Sequence, residues 1–188
     1  MNFIKRINYN APVTLTFAFI CLLATLLDQL TLGYTTYHIF SVYRSSLLDP
    51  LFYVRLFAHV FGHADLAHLT SNMTLFLLLG PLLEEKYGSK AMIEIIMVVA
   101  LITGVIHIIV SNNALLGASG VVFCFIILAS ITGKNEGIPL TFIIVAILYL
   151  SNEIITGIVN HDTISQMTHI IGGLCGTFIG LKKNVKFM

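Results

Sequence analysis

His169-Ile170-Ile171-Gly172-Gly173-Leu174-Cys175-Gly176-Thr177-Phe178-Ile179-Gly180-Leu181 holds no acidic or basic side chain behind its opening histidine. His169, Gly172, Gly176 and Gly180 are spaced i, i+3, i+7 and i+11, which puts all four on one face of a helix. The glycines strip that face of side chains, so a neighbouring helix backbone can close in, as in small-xxx-small packing within membranes. His169 stands at one end of the groove. Whichever helix fills the groove is pressed against the histidine.

The rest of the chain fits a membrane bundle. Of its 188 residues, 57% are hydrophobic and 10% charged, and the mean hydropathy is +0.93. A soluble domain carries about a quarter charged residues. Apolar runs extend from Val13 to Leu32, Leu66 to Leu83, Ala91 to Val110, Gly117 to Thr132, Ile138 to Ile158 and Ile164 to Leu181. A span needs roughly 20 apolar residues, and about 17 are tolerated. The fold expected is therefore all-α and polytopic, with six transmembrane helices. The fourth and sixth runs are short, so their ends should lie below the membrane surface, shielded by protein. The first run is long and meets no small-residue cleavage site before Asp28-Gln29, so it is expected to be a retained helix and not a signal peptide.

Charge sets the orientation. Lys5, Arg6, Lys86, Lys90, Lys134, Lys182, Lys183 and Lys186 fall in alternate connections, whereas only Arg44 and Arg55 fall on the other side. The positive-inside rule then places both termini in the cytoplasm. One domain, 1–188, is expected, with a short cytoplasmic N-terminus (1–12), an outer loop (33–63) and a cytoplasmic tail (182–188). The outer loop is rich in Tyr and Phe, and should hold short amphipathic helices against the interface. Cys21, Cys124 and Cys175 lie inside apolar runs with no zinc-like spacing, and read as apolar filler. The net charge of +1 and the lack of a basic helix give no sign of a nucleic-acid partner.

The segment best suited to fill the groove opens with Gly117-Ala118-Ser119-Gly120. By the orientation above, Ser119 and His169 both lie near the outer ends of their helices and can meet at one depth. A serine hydroxyl becomes a useful nucleophile when a base at about 2.6–3.2 Å takes its proton. No acidic residue precedes His169 in its helix, so a dyad is expected. An acyl-transfer site also needs donors for the developing oxyanion. His68 and Asn72 share a face of the second helix, and the Ser119 amide lies near a helix N-terminus. Taken singly, Ser119 is equally a packing serine, His169 an interfacial histidine, and His68 with Asn72 an interhelical hydrogen-bonding pair.

Two other chemistries have candidate residues in the chain. His59 and His63 are spaced i, i+4 with His68 near, a set that zinc accepts, but no His-Glu-x-x-His accompanies them. No metal or other cofactor is expected. A transporter would need polar groups across the membrane, and Glu94, His107, Asn152 and Glu153 are the candidates. Glu94 near the inner end and His107 near the outer end can both reach the interface by snorkelling. Asn152 and Glu153 either hydrogen-bond a neighbour or face a water cavity.

The ordered set His63 with His68-x-x-x-Asn72, Gly117-x-Ser119-Gly120 and His169-x-x-Gly172-x-x-x-Gly176 resembles the rhomboid intramembrane serine proteases, in their compact bacterial form, over Val13 to Leu181. The resemblance implies Ser119 as nucleophile and His169 as general base and acid. It implies His68, Asn72 and the Ser119 amide as oxyanion donors, with His63 in support. It gives Glu84 a bracing role at the cytoplasmic end of the second helix, Arg55 a structural role in the outer loop, and Phe123 the ring on which His169 stacks. Phe123 stands where many members have tyrosine, Val54 where an aromatic is usual, and Thr168 where alanine is common. Also implied are single-span or polytopic membrane proteins as substrates, a lipid surround, cleavage near the outer face, and the fifth helix as lateral gate. A bacterial cytoplasmic membrane is the expected location. The alternative within the same resemblance is an inactive relative that binds membrane proteins for quality control.

Overall fold

The computed structural model describes residues 8–131, 140–145, 147, 148, 151 and 163–185. The named helices are α1 (Pro12–Leu30), α2 (Tyr34–His38), α3 (Pro50–Ala58), a 3-10 turn (His59–Phe61), α4 (Leu66–Tyr87), α5 (Ser89–Val110), α6 (Ser119–Ile131) and α7 (Thr163–Val185). Among the described residues the only β pairing is an isolated antiparallel bridge between Val42 and Leu115. α1, α4 and α5 are long and apolar enough to cross a membrane, and α6 is a shorter apolar helix. The run from Ile138 to Ile158 lies largely outside the described residues, with Asn152 and Glu153, although residues 140–145, 147, 148 and 151 are helical.

The molecule is apolar outside as well as inside. Phe19, Leu23, Leu78, Leu82, Ile109 and Phe178 are all exposed. Water-soluble monomers rarely show contiguous apolar surface beyond a few hundred Å². The chain is a helical membrane bundle, and α6 is its centre. Gly120, Val121, Val122, Cys124, Phe125, Ile127, Leu128 and Ile131 of α6 are buried. It packs on α4, α5 and, most extensively, α7. A row of rings crosses the core: Phe61 to Phe17 at 4.8 Å, Phe17 to Phe76 at 4.4 Å, and Phe76 to Phe125 at 5.1 Å. This row ties the 3-10 turn, α1, α4 and α6 together. The three cysteines are free, and Cys21 and Cys124 are buried.

Two boundaries differ from the hydropathy reading. α4 continues past Leu83 through Glu84-Glu85-Lys86-Tyr87 and stops only at Gly88, whose φ of +81° suits glycine. α7 runs to Val185, into the stretch expected as tail. Charged side chains do not end a helix; they end only its apolar pattern. The segment 33–63 holds α2, α3 and the 3-10 turn, and α3 is started by Asp49, which accepts from the Leu51 amide at 3.0 Å ahead of Pro50. Arg55, 2% exposed, donates to the His38 carbonyl, Tyr43 and Ser45, pairs with Asp49, and lies 4.6 Å from the centre of the Tyr43 ring. The aromatic absent at Val54 is thus replaced by one twelve residues before the arginine.

Glu84 explains how α1 begins. Ala11, at its N-cap, offers no side-chain acceptor. The Val13 and Thr14 amides instead donate to Glu84 Oε1 and Oε2, each at 2.9 Å, and the Thr14 and Ser89 hydroxyls add bonds of 2.8 and 2.7 Å. One carboxylate from α4 caps α1 and clamps the start of α5, where the helix dipole favours an anion. Close by, α1 crosses α4 so tightly that a Cβ on Gly80 would stand 2.8 Å from Thr14 Oγ1. Glu84→Ala is expected to lower stability by roughly 3 kcal/mol, because buried donors lose a charged acceptor. In a detergent melt this is a fall of about 10 °C, with Glu84→Gln falling about half as far. An unchanged midpoint in Glu84→Ala rules this clamp out.

Candidate active site

The site is assembled at the start of α4 and α6 and along the second turn of α7. Asp65 begins α4 by accepting from the His68 amide at 2.7 Å, which fixes the turn that carries His68. The Ala64 amide faces His68 Nδ1 at 3.5 Å, leaving Nε2 as the ring's other nitrogen. That nitrogen lies beside Gly117, where a Cβ would stand only 2.8 Å away. Gly117 also has φ +121°, a conformation that side chains disfavour. The backbone conformation therefore demands glycine just ahead of Ser119, and a Cβ there would also press on the His68 ring.

Asn72 is buried one turn below His68 and donates from Nδ2 to the His68 carbonyl at 3.1 Å. The second hydrogen on that nitrogen is left for another acceptor. His63 is buried beneath, its ring edge-on to His68 at 5.0 Å between centres and its Nδ1 3.2 Å from the Phe61 carbonyl. Since a carbonyl only accepts, His63 Nδ1 carries the hydrogen. His59 does not join this group, because the 3-10 turn and the extended Gly62 send its ring towards Thr103 of α5, at 3.5 Å.

Ser119 is the first residue of α6, so its amide is one of the unpaired N–H groups at a helix start. The groove on α7 receives α6 backbone to backbone. A Cβ on Gly172 would overlap the Gly120 carbonyl, and one on Gly176 would stand 2.6 Å from the Cys124 carbonyl. One turn before Gly172, the His169 ring rests on Phe123, with 4.4 Å between centres and a tilt of 40°. His169 also lies close enough to His68 for the two charges to interact. Ser119, His68 and His169 are half-buried, while Gly117, Asn72 and His63 are buried behind them. The arrangement offers a hydroxyl at a helix N-terminus, imidazoles from two other helices, and amide donors at one end of the bundle. Such a set suits acyl transfer.

Burial, reinforced by the neighbouring His68, lowers His63 to about 4, against the opposing bond to Phe61. Burial and then His107 lower His59 to about 3. Unfolded, both take up a proton near pH 6.5. Folded, neither does so until the pH is far lower, so the unfolded chain binds more protons in between and stability falls with pH. The detergent-melt midpoint should be flat from about pH 8 to 7 and decline below about 6.5, by about 2–3 kcal/mol per histidine at pH 4.5. His63→Gln should reduce the slope. A midpoint indifferent to pH over that window refutes the neutral burial of these rings.

Three further groups bear on the site. His107 was expected to snorkel, but it is 2% exposed and turned inward, with Nε2 2.8 Å from the Asn113 carbonyl. Thr103, buried against His59, gave no signal within an apolar run. Asp65 was legible as an N-cap, an acceptor three residues ahead of the amide it takes.

The Rhomboid domain family matches residues 51–184, well over half of the chain. The chain is 32% identical over 69 residues to the rhomboid protease GlpG of Haemophilus influenzae, a match covering 37% of this chain and 36% of that protein. The chain thus spans about a third of the length of the curated relative it matches. With the apolar helices described above, this makes the chain an integral membrane protein and a member of the rhomboid family.

Proposed function

We propose that the protein is an intramembrane serine endopeptidase, a single domain of six spans with both termini in the cytoplasm of a bacterial cell. Ser119 is the nucleophile and His169 its base. The observation that supports this most is the backbone contact of α6 with α7 at Gly120 and Gly172, which leaves His169 alongside the Ser119–Phe123 turn. The retained serine and histidine favour the enzyme over an inactive binder.

The reaction follows from the groups present. Ser119 Oγ attacks the scissile carbonyl carbon and His169 takes the hydroxyl proton. Negative charge gathers on the carbonyl oxygen, and His68 Nε2–H, Asn72 Nδ2–H and the Ser119 amide are the donors for it. As the C–N bond breaks, His169 returns the proton to the leaving amine. Water then attacks the acyl-enzyme and His169 takes its proton; as the bond to Ser119 Oγ breaks, His169 returns that proton to Oγ, and the acid product leaves with Ser119 restored. Phe123 holds the imidazole by packing alone, having no hydroxyl.

The substrate is a single-span or polytopic membrane protein, cut near the outer face. Its scissile segment must be extended, because a helix hides its carbonyls in internal bonds. Access is lateral from lipid, with the segment of the fifth run, 138–158, as the gate. The test is cleavage of a fluorescent transmembrane substrate in liposomes by the wild type and by Ser119→Ala. Undiminished cleavage by the variant ends the proposal.

A further inference from the structure

The nucleophile is delivered by the segment that joins α5 to α6, and that segment is pinned at every second residue. The Ser111 amide donates to the His107 carbonyl at 2.8 Å, and the Asn113 amide to Ser111 Oγ at 3.0 Å. Leu115 exchanges both backbone bonds with Val42, at 2.8 and 2.9 Å, and the Gly117 amide donates to the His59 carbonyl at 2.9 Å. Asn112, Ala114 and Leu116 alternate with these. Among the described residues, one pin comes from the side chain of another element: His107 Nε2, 2.8 Å from the Asn113 carbonyl.

That bond fixes the chemistry of the ring. A carbonyl cannot donate, so Nε2 carries the hydrogen and Nδ1 holds a lone pair. Nδ1 is buried with no hydrogen-bond partner among the described residues. The ring is therefore held by a single directional bond, and the Asn113 carbonyl loses its donor if the imidazole is replaced by an apolar group. His59 packs on the same face of α5 one turn earlier, admitted by Gly104, where a Cβ would be 3.3 Å from His59 Nε2. One face of α5 thus meets both ends of the segment, through the His107 side chain and through His59, whose backbone carbonyl holds Gly117 two residues before Ser119.

We propose that His107 is a positioning residue for the proposed protease reaction: its Nε2–H anchors the segment 111–117 and so sets where Gly117 and Ser119 stand against His68 and His169. The inference rests on the reading of Ser119 as nucleophile. An error of about 1 Å at a reacting group costs on the order of 10²-fold in rate. Loosening one of several pins should cost less than that.

The experiment uses the full chain in liposomes with a transmembrane substrate, comparing wild type, Ser119→Ala, His107→Leu and His107→Gln. Leucine fills the space without a donor, whereas the glutamine amide can donate to the Asn113 carbonyl. His107→Leu should lower kcat by about 10-fold or more, with KM within about twofold. Hydrogen exchange at Leu115 and Gly117 should speed up while the amides of α4 keep their protection. His107→Gln should keep at least about half of the wild-type kcat. A general packing role would move the melting midpoint and KM, and glutamine would not rescue it. If His107→Leu does not fold, Ser111→Ala removes the other bond at Asn113 and should show the same kcat loss in milder form. Wild-type kcat in His107→Leu, or glutamine as poor as leucine, overturns the inference, as does full kcat in Ser111→Ala where that variant stands in. Cleavage by Ser119→Ala equal to the wild type would instead overturn the protease reading itself.

Discussion

Ser119→Ala should fold as the wild type does and cleave a transmembrane substrate at least about 10³-fold more slowly, with kcat carrying the loss. The side chain is small and half-buried, and alanine suits the first turn of a helix, so stability should change by less than about 1 kcal/mol. What disappears is the only atom of residue 119 able to bond to the carbonyl carbon. His169→Ala should fall into the same range, because an unassisted hydroxyl is a poor nucleophile at neutral pH. The double variant should be no slower than either single one, since groups that act as a unit do not add. A fluorophosphonate probe provides a second readout: labelling of the wild type at Ser119, and none in either variant. Comparable rates for wild type and Ser119→Ala would remove Ser119 from the reaction and overturn the protease reading. Multiplying effects in the double variant would separate the serine from the histidine.

The parts of the site that could be read beforehand are those written in local periodicity. The spacing of Gly172 and Gly176 behind His169 specifies a bare helical face, and the small residues around Ser119 specify a helix able to fill it; in the structure Gly172 meets Gly120 and Gly176 meets Cys124. The i, i+4 relation of His68 and Asn72 survives as a hydrogen bond. What could not be read depends on long-range folding. Glu84 caps a helix that starts 71 residues earlier, and the only local hint is that Ala11 cannot cap it. His107 resembles an interfacial side chain until the chain turns back at Ser111 and brings the Asn113 carbonyl to it. Arg55 finds its ring in Tyr43 because the outer loop folds over α3, which no pattern around Val54 announces. Hydropathy finds spans, and periodicity finds faces. Neither shows which polar atom will be brought within bonding distance by a loop.

Gly172→Ala should be the most damaging of the alanine substitutions along the α7 groove. A Cβ at Gly172 would overlap the Gly120 carbonyl, and its next neighbours, the Gly120 carbonyl carbon and Cα at 2.8 and 3.0 Å, are backbone too. Backbone within a buried helix cannot rotate away, so α6 and α7 must separate. Overpacking of this kind costs about 1–3 kcal/mol. The larger effect is on geometry: His169 lies one turn from Gly172, and a separation of about 1 Å there predicts a loss on the order of 10²-fold in kcat. The same methyl at Gly176 meets the Cys124 carbonyl at 2.6 Å, two turns from His169, and should cost similar stability but less rate. At Gly180 it meets the end of a side chain, Ile131 Cδ1 at 2.8 Å, which can swing aside. Gly180→Ala should therefore stay within about twofold of wild-type kcat. Measuring the three alanine variants side by side, by liposome cleavage and by melting, separates the idea from simple destabilisation. Rate loss should follow distance from His169, whereas stability loss should follow whether the methyl strikes backbone or side chain. Equal rates for Gly172→Ala and Gly180→Ala would show that close packing of α6 on α7 is not what holds the histidine in place.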